Sequence, residues 1–141
     1  MFNELETYKS NDHFFFTATE ELSNVCNAPK DGAGIYLVYS LKQGRIELIY
    51  SGSSGKVLQD GRLDIDQGGI YDNIVNGNQF EDKQKRCWKT AMILDEIEAL
   101  DIYWYETIDK THFDIPSFVK GTIIQRYFEL FSKLPKWNTE Y

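Results

Sequence analysis

Two short runs of alternating apolar residues most constrain this chain. They are Ile35-Tyr36-Leu37-Val38-Tyr39 and Ile46-Glu47-Leu48-Ile49-Tyr50. Between them lies Lys42-Gln43-Gly44-Arg45, polar and carrying the glycine that a tight turn needs. β-rich runs joined in this way predict an antiparallel hairpin. On such a hairpin Tyr36 and Tyr50 approach each other across the strand pair, with both hydroxyls near one surface.

The rest of the chain predicts one α/β domain. A chain of 141 residues supports one sizeable core but not two. Residues 1–32 read as an N-terminal extension packing on a domain over 33–141. Within the extension, His13 to Thr17 is a candidate edge strand, and Thr19 a candidate N-cap for a following helix. Residues 53–69 are rich in Ser, Gly, Asp and Gln and read as a long loop. Ile70 to Val75 predicts a short helix stopped by Asn76-Gly77, and Lys83 to Glu98 a further helix. Leu100 to Tyr105 predicts the third strand. Pro116 precedes a last helix, with Ile123, Ile124, Tyr127, Phe128 and Phe131 as its buried stripe and Trp137 closing the end of that core. Aromatic residues, including Phe15, Tyr103 and Tyr105, are expected to fill the interior.

Charge and composition narrow the function. The net charge of −7 disfavours DNA as a partner, because phosphate binding depends on cationic side chains. Lys83, Lys85, Arg86 and Lys89 form one local basic cluster that offers either a nucleic-acid contact or a solvated helix start. No stretch is apolar enough to span a bilayer. The start is polar, and Cys26 and Cys87 are far apart, so a cytoplasmic protein with reduced thiols is expected. The oligomeric state is not legible.

The triplets Gly34-Ile35-Tyr36 and Tyr50-Ser51-Gly52, the order of elements after them, and the ending Pro135-Lys136-Trp137-Asn138 together resemble the GIY-YIG nuclease superfamily. Serine stands where the second triplet usually has isoleucine. The resemblance implies a small three-stranded antiparallel sheet flanked by helices. It also implies hydrolysis of a DNA phosphodiester with one magnesium or manganese ion. In that scheme Tyr36 helps to deprotonate the attacking water and Tyr50 supports it. Gly34 and Gly52 frame the pair, and Asn138 ties the tail to the site. The family's arginine on the first helix aligns with Asn73, leaving Arg62 in the preceding loop as the nearest phosphate-binding candidate. The family's metal-binding glutamate aligns with Lys120, so the metal ligand is not identified. A protonated lysine cannot ligate a divalent cation. Two functions follow from the resemblance: a metal-dependent DNA endonuclease, or a degenerate member that has kept the fold as a binding or interaction module.

Overall fold

The computed structural model describes residues 2–65, 68–77 and 87–139. Of the basic cluster, Lys83, Lys85 and Arg86 lie outside the described residues; Lys89 pairs with Glu21 at 2.9 Å.

The hairpin forms as its sequence predicts. Strand β2 runs Gly34–Lys42 and strand β3 Arg45–Ser54. Gln43 and Gly44 have φ of 51° and 74°, the left-handed pair of a type I′ turn, whose twist matches that of the strands it joins. The sheet has four strands, not the expected three. Strand β1, Asn11–Phe16, lies in the segment before residue 33 and pairs antiparallel with β6, Ala99–Glu106. The spatial order is β1-β6-β2-β3, antiparallel throughout.

Several connections differ from expectation. Thr19 caps no helix: its hydroxyl meets that of Thr17, and the one-turn helix α1 starts later, at Leu22–Val25. The long loop contains a small ladder, β4 at Lys56–Val57 against β5 at Leu63–Asp64. Helix α2 spans Gly69–Asn76, α3 spans Trp88–Leu94, and α4 spans Pro116–Phe131 with proline at its start, where a missing N–H costs nothing.

Strand alternation splits the core into two layers. One face of the sheet carries Tyr36, Val38, Ile102 and Trp104, packed with Ile70 and Ile74 of α2, Trp88 and Met92 of α3, and Trp137. The other carries Ile35, Leu37 and Leu48, packed with Leu5, Tyr8 and the α4 residues Val119, Ile123 and Tyr127. Trp137 therefore caps the layer opposite α4, not the end of α4's own core. There it lies 6.4 Å from Trp88 between ring centroids and donates from Nε1 to Asp95 Oδ2 at 3.0 Å.

The α4 stripe is shorter than its periodicity implies. Ile123, Ile124 and Tyr127 are buried, but Phe128 is 50% and Phe131 48% exposed. Phe128 lies one residue past Tyr127, about 100° round the helix. Phe131 packs on Tyr127 at 4.6 Å but overhangs an open cavity of about 490 Å³ lined also by Phe2, Tyr39 and Arg45. Phe15, expected inside, is 54% exposed on the edge strand.

Candidate functional site

Tyr36 and Tyr50 share a face only because β3 is irregular. Near the turn the register is Lys42↔Arg45 to Tyr39↔Leu48. Continued strictly, it would set Tyr50 opposite Leu37, on the face away from Tyr36. Instead Ile49 is an extra residue, and the register resumes at Val38↔Tyr50, Leu37↔Ser51 and Tyr36↔Gly52. A bulge of this kind re-aims the following side chains. It places Ile49 and Tyr50 together on the Tyr36 side. The two rings end 6.0 Å apart between centroids, tilted by 40°.

Both triplet glycines are required by close approach. A Cβ at Gly52 would overlap the ring of Tyr36, and one at Gly34 would overlap the carbonyl of Tyr105 on β6. The ring of Tyr36 thus lies over its cross-strand partner and is fully buried. Its hydroxyl donates to Oδ1 of Asn73 on α2 at 2.8 Å.

Asn138 clamps the middle of the second triplet. Its Oδ1 accepts from the Ser51 N–H at 3.0 Å, and its Nδ2 donates to the Ser51 carbonyl at 3.1 Å. The Trp137 N–H donates to the Ile49 carbonyl at 2.7 Å. β3 is an edge strand, so the tail satisfies backbone groups that would otherwise lie open to pairing with another chain.

The structure therefore brings together Tyr36, Tyr50, Gly52, Asn73 and Asn138, with Gly34 at the start of the same strand. It does not bring in Arg62 or Lys120. Arg62 is 76% exposed beside the β4–β5 ladder, its Nε donating to Asp60 Oδ2 at 2.6 Å. Lys120 is half-buried on α4, whose neighbours Val119 and Ile123 pack the opposite layer. Among the described residues, the groups gathered at the tyrosine pair are phenols and neutral amides, and the Oδ1 of each asparagine already accepts a hydrogen bond. These do not fit a magnesium or manganese ion, which takes carboxylate oxygens. Among the described residues no group of three His, Cys, Asp or Glu is arranged to hold a metal.

Two features escaped the sequence reading. The bulge at Ile49 has no glycine or proline to mark it. The alternation Asp101, Tyr103, Tyr105 on β6 was legible as one strand face, but not as an open one. Compared with known proteins, the chain matches no family model, no curated protein and no solved structure.

Proposed function

We propose that the chain is a GIY-YIG-type domain that has kept the tyrosine frame, no longer hydrolyses DNA, and serves as a binding or interaction module. One observation carries this reading: the Tyr36 hydroxyl is fully buried and donates to Asn73, the residue aligned with the family's arginine. A group assisting general-base catalysis must reach the attacking water at hydrogen-bond distance. A phenol sealed in the core cannot. Charge developing on a phosphoryl group also needs a fixed cation, and Arg62 is engaged by Asp60. The net charge of −7 adds a penalty for DNA.

The nuclease reading keeps one observation in its favour, the clamp of Asn138 on Ser51, which reproduces the family's tie between tail and triplet. Incubating the purified protein with supercoiled plasmid and magnesium or manganese separates the two. The expected result is no nicking above background, and the same background from Tyr36→Phe. Strong nicking by the unaltered protein, lost in Tyr36→Phe, would overturn the degenerate reading.

A further inference from the structure

The sheet face opposite Tyr36 is roofed by α4 over Ile35, Leu37 and Leu48, but not over its full width. Beyond that roof, Tyr39, Tyr103, Tyr105, Asp101 and Ile46 line an open cavity of about 190 Å³. The sequence builds this corner through strand alternation. Asp101, Tyr103 and Tyr105 fall on one face of β6, and Tyr39 of β2 sits directly opposite Asp101. The rings of Tyr39 and Tyr103 meet at 5.6 Å and 81°, forming two perpendicular walls. His13 of β1 stacks on Tyr103 at 4.7 Å and 9°, with Nδ1 2.8 Å from Asp101 Oδ1, so ring and carboxylate are held in place from behind. The Asp101 side chain is only 13% exposed.

We propose that this corner is an aromatic cage for a methylated ammonium group. Tyr39 and Tyr103 beside a partly desolvated carboxylate, with Tyr105 further along the same cavity, attract a cation through ring quadrupoles and charge together. The methylated form is favoured because its hydration shell is weak, whereas a primary ammonium is strongly hydrated. The cavity is smaller than the roughly 300 Å³ at which drug-sized ligand pockets begin, which suits a compact head group. The one ionisable acid in the lining is Asp101, and burial keeps the phenols around it neutral. Tyr39 is pushed up to about 12, first by burial and then by Tyr105, Tyr103 and Asp101. Tyr105 is raised by burial, then by Tyr103 and Glu6. Arg45 belongs to the neighbouring 490 Å³ cavity, not to this one. The site lies on the opposite face from Tyr36, so it stands or falls independently of the lost-nuclease reading.

The same chemistry is carried by choline-type small molecules and by trimethyllysine in a polypeptide. The intact protein is titrated, by chemical-shift perturbation, with four probes. These are choline, its neutral isostere 3,3-dimethylbutanol, a trimethyllysine peptide and the unmodified peptide. Choline or the trimethyllysine peptide is expected to bind at least about tenfold more tightly than its uncharged or unmethylated counterpart. Tyr103→Leu and Asp101→Asn should each weaken binding about tenfold, while Tyr103→Phe stays within about threefold because the ring face remains. Binding of choline alone identifies a small-molecule ligand, and preference for the peptide identifies a polypeptide one; either supports the cage. The proposal is overturned if neither cation shows saturable binding by about 10 mM, or if the isostere and unmodified peptide bind as well as their partners. It is equally overturned if folded Asp101→Asn titrates like the unaltered protein. Should Tyr103→Leu fail to fold, Asp101→Asn and the isostere comparison decide the matter alone.

Discussion

The two faces of one sheet treat tyrosine in opposite ways. On the α2–α3 face, Tyr36 is fully buried over Gly52, and its hydroxyl is held by Asn73. On the α4 face, Tyr39, Tyr103 and Tyr105 stay half-buried along an open cavity that also holds a carboxylate. The residues that carry the family resemblance are thus the ones most committed to packing, while the open aromatic chemistry lies on strand positions that no motif marks. A triplet fixes where a tyrosine sits along a strand, but what covers that strand decides whether the tyrosine can meet a substrate. Fold and function separate at this point.

The largest expected effect concerns the tail that seals the Tyr36 face. Trp137→Ala should cost about 3–5 kcal/mol in denaturant unfolding, because a nearly buried indole is removed from against Trp88. A loss below about 1 kcal/mol would mean that the tail is not part of that layer. On the other face, Ile123→Ala should cost about 2–5 kcal/mol, whereas Phe131→Ala, beside its open cavity, should cost under about 1 kcal/mol. Equal losses from the two would move Phe131 back into the core and close the 490 Å³ cavity beside it. Gly52→Ala should cost about 1–3 kcal/mol, since the new methyl must displace the Tyr36 ring. The smallest effect is expected at the open corner, where Tyr103→Phe removes a hydroxyl that meets Asp101 and should cost about 1 kcal/mol or less. A loss well above that would show that the corner is part of the packed core rather than an open site.

Much of this architecture was legible because local chemistry and tertiary packing agree. The hairpin turn, the β6 run and the proline start of α4 each state their own structure. Three features depend on what lies across space. The candidate edge strand over His13 to Thr17 forms as β1, Asn11–Phe16, and raises the sheet to four strands because β6 offers it an edge. Phe128 and Phe131 read as core by periodicity, but Phe128 falls off the buried face of the helix and Phe131 stands over an open cavity between α4 and β3. Tyr36 and Tyr50 were rightly expected on one surface, yet simple alternation from the turn would have separated them; the Ile49 bulge brings them together. Of the site residues, Tyr36, Tyr50, Asn73 and Asn138 converge. Arg62 and Lys120 do not, since a loop arginine takes the nearest carboxylate and a helix residue follows its helix to the other face.

The most direct test of a structural Tyr36 is a double-mutant cycle of Tyr36→Phe and Asn73→Ala, read by denaturant unfolding. A hydroxyl committed to Asn73 gives a coupling energy of about 1 kcal/mol, because each single change already removes the shared bond. Additive losses, with coupling under about 0.3 kcal/mol, would contradict it and leave the Tyr36 hydroxyl available for chemistry.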